Sequence, residues 1–168
     1  LEMGMRGLSQ IDYLCSIAKP DIAVITNIGI SHIELLGSRE NILKAKLEAV
    51  DNLSDGGVAI LNGDDDMLST VKTDKKTLFF GIDNELCDLR AVDVVDNSYT
   101  LVYKDQRYPV KLSVLGRHNI YNSLAGIAVG ISMGLDIPAL IAGVESFAGD
   151  GSRQNIYMHG DIRIFDDT

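Results

Sequence analysis

Apolar positions in the first half of the chain fall alternately into helix-spaced sets and short continuous runs. Leu8, Ile11, Leu14, Cys15 and Ala18 recur at helical spacing, which predicts a helix that Pro20 ends. The run at 21–27, carrying Ile22, Ala23, Val24 and Ile25, predicts a strand buried on both faces in a parallel sheet. A loop with Gly29 and Gly37 follows, and Ser38 can cap a helix reaching about Leu53. Runs at 57–62 and 77–80 predict two further buried strands. Strands and helices in this succession imply right-handed crossovers and a parallel sheet.

The pattern then changes. Residues 88–95, 99–103 and 108–115 are β-rich and joined by the short polar stretches Asp96-Asn97-Ser98 and Lys104-Asp105-Gln106-Arg107, which predicts an antiparallel meander attached to the parallel sheet at about 88–115. A helix is expected over 119–133, ended by Gly134, and a second from Pro138, a favoured first-turn position. Two short strands, near 155–159 and 161–165, complete the pattern. The fold class is therefore α/β, a mostly parallel sheet flanked by helices with a small antiparallel addition. Residues 1–5 read as the end of a strand, and residues 162–168 as a strand that has just reached the end where ligands collect in open α/β sheets. On that reading the chain is expected to be part of a longer protein.

Composition narrows the classes. The chain has 168 residues, with 15 Lys and Arg against 24 Asp and Glu, a net charge of −9. Such a charge disfavours nucleic-acid binding, whose affinity comes largely from cations on phosphates. No apolar run approaches the roughly 20 residues of a membrane span, and no leader pattern occurs, so a cytoplasmic protein without membrane partners is expected. Cys15 and Cys87, the only two cysteines, are expected as buried thiols in a reducing compartment.

Four elements can carry chemistry. On the helix after Ser38, Ile42, Leu43, Ala49, Val50 and Leu53 form one apolar arc with Lys46 near its middle, while Lys44 and Glu48 form an i,i+4 pair on the opposite face. Lys46 either snorkels its ammonium to water or is desolvated, with a depressed pKa and a nucleophilic amine open to modification. His32 follows the stretch 26–31, directly after a strand, where an α/β site would lie, although a lone loop histidine is commonly just surface. Glu2 stands near another strand end. Glu2, His32 and a modified Lys46 could together offer nitrogen and oxygen ligands suited to Mg²⁺. At Gly116-Arg117-His118-Asn119, a helix entrance, the Asn119 amide can either meet a purine edge or cap the helix. Arg153 could meet phosphate and Asp166-Asp167 ribose hydroxyls, or all three could be solvated surface. The chain contains no Gly-x-x-x-x-Gly-Lys-Ser/Thr loop, no Gly-x-Ser-x-Gly elbow and no Cys-x-x-Cys.

Taken in order, Glu2-Met3-Gly4-Met5-Arg6-Gly7, the stretch 25–34 (ITNIGISHIE), Ala45-Lys46-Leu47-Glu48, Gly116-Arg117-His118-Asn119 and Phe165-Asp166-Asp167-Thr168 resemble the Mur ligases of bacterial cell-wall synthesis. The likeness is greatest to the branch that joins D-alanyl-D-alanine to UDP-N-acetylmuramoyl-tripeptide, and it covers essentially the whole chain. It implies a partial central ATP-binding domain over 1–168. The phosphate-binding loop, the N-terminal substrate domain and the C-terminal domain would lie outside the chain. The resemblance makes Lys46 a carbamylated lysine, and Glu2 and His32 metal ligands beside it, with Lys46 and His32 also counted as catalytic. It makes Asn119 the adenine contact and places Arg153 and Asp167 on the nucleotide's phosphate and ribose.

The implied cofactors are ATP and Mg²⁺. In the implied reaction the tripeptide carboxylate attacks the γ-phosphate to give an acyl phosphate and ADP. The amine of D-alanyl-D-alanine then displaces phosphate. The family often has Gly-Glu where this chain has Ser9-Gln10. A monomer is expected, inactive by itself without the phosphate loop. Rival readings are a sister Mur ligase, folylpolyglutamate synthase, or a non-catalytic nucleotide-binding module.

Overall fold

The computed structural model describes residues 1–148, 155–160 and 162–166. Its main sheet has six strands in sequential order: β1 (Ile22–Ile25), β2 (Val58–Asn62), β3 (Lys76–Gly81), β4 (Leu89–Val95), β5 (Ser98–Tyr103) and β6 (Gln106–Lys111). Strands β1 to β4 pair in parallel, and β5 and β6 extend the sheet antiparallel. The helices are α1 (Gln10–Ala18), the single-turn α2 (Ile33–Leu36), α3 (Arg39–Asp51), α4 (Arg117–Ser132) and α5 (Ile137–Ser146), and a 3-10 turn (Leu68–Thr70) lies between β2 and β3. A separate antiparallel hairpin, β7 (Asn155–His159) with β8 (Ile162–Asp166), follows. Among the described residues no helix is long and apolar enough to cross a membrane.

The period-two alternation of β2 builds the layers. Every residue of β2 is buried. Val58 and Ile60 face a core completed by Leu78, Phe80, Leu101 and the α4 residues Ile120, Leu124 and Ile127. Ala59 and Leu61 face a second core with Ile11 and Cys15 of α1 and Ile42, Ala45 and Val50 of α3. A parallel strand covered by helices on both faces reads as a continuous apolar run, and β2 does. Cys15 and Cys87 are buried and unpaired, as expected.

Four local expectations are corrected. Strand β1 is buried on one face only: Ala23 and Ile25 are covered, but Val24 is 41% exposed. It stands at one end of the sheet among the described residues, and α4 lies mainly over β2, β3 and β4. Strand β6 begins at Gln106, because Lys104 and Asp105 (φ 47° and 62°) form a two-residue left-handed turn that matches strand twist, in place of a four-residue connection. Helix α4 begins two residues early, at Arg117, because Gly116 (φ 103°) supplies the cap position. Glu48 is no surface partner of Lys44. Its carboxylate accepts the backbone N–H groups of Ser9 (2.7 Å) and Asp12 (3.0 Å), so α3 caps the start of α1. Ser9 at that N-cap sits at φ 66° and makes no side-chain cap of its own. Ser38 does cap α3, accepting from Asn41 N at 3.2 Å.

Candidate functional site

Lys46 projects from α3 toward the loop that leaves β1. Ala45 beside it is fully buried and Lys46 itself half-buried, and the ammonium reaches past the apolar face to an exposed backbone carbonyl. Its Nζ donates to the carbonyl oxygen of Asn27 at 2.7 Å, and among the described residues no carboxylate lies within 4.0 Å to pair with it. Burial lowers the amine's pKa, and the more distant charge of Asp65 only partly opposes that shift. Lys46 and Glu2 line one cavity of about 490 Å³, together with Met3, Cys15 and the residues of β1.

The loop at 26–28 is held from the end of β2. Asp65 accepts the Ile28 N–H at 2.7 Å through one carboxylate oxygen and the Met67 and Leu68 N–H groups at 3.0 and 2.9 Å through the other. Arg39 donates from Nε and Nη2 to the Ile28 carbonyl (3.2 and 2.9 Å) and pairs with Asp66 at 2.5 and 2.8 Å. Asn62 donates to the Thr26 carbonyl at 2.9 Å. The loop whose Asn27 carbonyl accepts the Lys46 hydrogen bond is therefore held by three side chains, Asp65, Arg39 and Asn62.

The third acid of this turn, Asp64, faces the other way. It accepts the backbone N–H groups of Ile82 (2.6 Å) and Asn84 (2.7 Å), a longer pair from Asp83, and the Tyr121 hydroxyl of α4 at 2.8 Å. Burial pushes this carboxyl up, but the hydrogen bonds outweigh it and hold the pKa below the ordinary aspartate range. Burial and the Asp64 hydrogen bond push Tyr121 up to about 12, which keeps it a donor. Arg117 pairs with Asp83 at 2.6 Å, and its guanidinium lies 5.8 Å from the centre of the Tyr121 ring.

Asn119 occupies the first turn of α4 without capping it. Its amide donates to the Leu115 carbonyl at 2.8 Å, which leaves the oxygen and one N–H uncommitted. His118 folds back over Gly116, where an added Cβ would lie 2.7 Å from its ring. His32 is exposed, at φ 63°, ahead of α2.

Glu2 and Lys46 thus share a cavity, while His32 lies at the far end of the loop that Lys46 touches and does not line it. Asn119 sits apart on α4. Arg153 and Asp167 lie outside the described residues. Among the described residues no three His, Cys, Asp or Glu side chains cluster to hold a metal. Of the three expected ligands, Glu2 and Lys46 share the cavity and His32 does not, so the residues as they stand offer a hard cation one carboxylate there. The residues missed in the sequence are Asp64, Asp65 and Asp66. Their signal was position, directly after the fully apolar strand β2.

The chain matches the Mur ligase middle domain family over residues 1–130. It is 37% identical to the UDP-N-acetylmuramoyl-tripeptide–D-alanyl-D-alanine ligase of Bacillus subtilis over 154 residues, which are 91% of this chain and 34% of that protein. Its fold is similar to MurF from Acinetobacter baumannii, with TM-score 0.91 and 27% identity over 100% of this chain and 38% of that one. MurF ligase from Thermotoga maritima in complex with ADP gives TM-score 0.85 and 30% identity over 100% of this chain and 40% of that one. The chain spans about a third of the length of the curated relatives it matches.

Proposed function

Because the chain belongs to the Mur ligase family as a middle domain, we propose that it forms the nucleotide- and metal-handling core of an ATP-dependent ligase that adds D-alanyl-D-alanine to UDP-N-acetylmuramoyl-tripeptide. The similarity to the Bacillus subtilis enzyme supports that choice of substrates.

The observation that carries the reading is the Lys46 amine, which is half-buried, bonded to one backbone carbonyl and, among the described residues, without a carboxylate partner. Burial raises the share of this amine that is deprotonated, and that form attacks CO₂. The new N–C bond forms as the nitrogen gives up a proton to solvent, and an anionic oxygen ligand results. Glu2 and the carbamate of Lys46, which share the cavity, would hold Mg²⁺, which supplies charge neutralisation at the ATP phosphates when bound; His32 does not line that cavity and stands as the third ligand on the family resemblance alone. Asn119 offers its uncommitted oxygen and N–H to the adenine edge. Arg153 and Asp167 serve phosphate and ribose. Without a Gly-x-x-x-x-Gly-Lys-Ser/Thr loop among its 168 residues, the chain alone does not turn over ATP.

Carbon-13 NMR in labelled bicarbonate with Mg²⁺ tests the Lys46 role. One carbamate signal is expected in the chain and none in Lys46→Arg. Identical spectra from the two proteins would remove Lys46 from the ligand set.

A further inference from the structure

The first turn of α4 has no side-chain cap: Gly116 occupies the cap position at φ 103° and offers no acceptor. The Asn119 amide bonds only the Leu115 carbonyl of the segment that enters the helix, so the turn is tied to the sheet by other contacts. Tyr121 follows Asn119 by two residues, about 200° around the helix axis. A bond from Tyr121 into the protein therefore draws one side of the turn down onto the sheet and turns Asn119 outward. That bond is the 2.8 Å contact to Asp64.

Asp64 is itself fixed. Its carboxylate takes the N–H groups of three consecutive residues, Ile82, Asp83 and Asn84, at the end of β3. Gly81 leaves room for it, since a Cβ there would lie 2.8 Å from Asp64 Oδ1. The second tie of this turn, Arg117 to Asp83, joins two exposed side chains and adds little. The half-buried Tyr121–Asp64 bond is the stiff one.

We infer that Tyr121 and Asp64 are positioning residues for nucleotide binding, holding α4 so that Asn119 meets the base. The inference rests on the proposed adenine contact of Asn119 and adds two residues that touch no ligand.

The test uses the full-length parent protein with Asn119→Ala, Tyr121→Phe and the double variant. The readouts are KM for ATP, kcat and the preference for ATP over GTP. Tyr121→Phe keeps the ring and removes only the hydroxyl. It is expected to raise KM for ATP about five- to tenfold, the scale of one hydrogen bond of ordinary strength, with kcat within about twofold. The ATP preference should fall by the same factor. Added to Asn119→Ala, Tyr121→Phe should change KM by less than about twofold, because residues acting through one contact are not additive. Calorimetric titration with Mg–ADP repeats the comparison without turnover. If Asn119→Ala raises KM and Tyr121→Phe does not, or if the two effects multiply, the positioning role is overturned. If Asn119→Ala itself leaves KM and ADP affinity unchanged, the adenine contact fails and the inference falls with it.

Discussion

Replacing Asp65 by alanine tests whether the turn after β2 holds the Lys46 loop. The carboxylate accepts from Ile28, Met67 and Leu68. Ile28 is 2% exposed and Leu68 fully buried, so water cannot reach their amides when the acceptor is gone. A buried amide left unpaired costs about 1–3 kcal/mol, and two of them with some relaxation give a loss of about 3 kcal/mol. For a chain of this size that corresponds to a fall in Tm of about 6–12 °C. Asp66 provides the control. It is one residue away but largely exposed, and it pairs with a partly exposed Arg39, so Asp66→Ala should cost much less than Asp65→Ala. Urea denaturation of both variants, read as a change in midpoint at constant slope, supplies the comparison. Equal, small losses in the two variants would refute the reasoning, because they would mean the Ile28 and Leu68 amides do not depend on Asp65.

Three further outcomes follow from local geometry. Ser9→Gly should stabilise the chain by about 0.5 kcal/mol, because Ser9 at φ 66° bears a left-handed cost that glycine avoids, partly offset by a freer unfolded chain; a lower Tm would contradict this. Gly63→Ala should cost about 1–3 kcal/mol, since the new Cβ would stand 2.3 Å from Cys87 Sγ, and adding Cys87→Ala should restore part of that loss in a thermal melt. Asp64 titrates below the ordinary 3.8 in the folded protein, so its hydrogen bonds contribute stability above that value and lose it as the pH falls through the folded pKa. The stability gap between the chain and Asp64→Asn should therefore shrink below about pH 4, and a gap unchanged down to pH 2 would contradict the assignment.

What the sequence reveals depends on how local the cause is. Strand β2 was legible because burial on both faces leaves an apolar run at every position. Strand β1, with nearly the same composition, was misjudged, because standing at one end of the sheet, among the described residues, is a property of the sheet rather than of the segment. The Ser38 cap and the Pro138 start of α5 were legible because each acts within one turn. Glu48 was misjudged because its partners, Ser9 and Asp12, are 39 and 36 residues away. Lys46 could be singled out from helix geometry, but its partner, the Asn27 carbonyl 19 residues away, could not. Asp64, Asp65 and Asp66 drew no expectation from the sequence, because each reaches a different segment and nothing local encodes that.

The central claim is that this domain belongs to a ligase specific for D-alanyl-D-alanine. ADP release and amide formation by the full-length parent protein, measured against a panel of acceptors and UDP-linked donors, test it most directly. The account predicts turnover only when UDP-N-acetylmuramoyl-tripeptide and D-alanyl-D-alanine are both present. Preference for L-alanine or diaminopimelate as acceptor would assign the chain to a sister ligase, and nucleotide binding without turnover on any pair would make it a binding module; either result contradicts the claim.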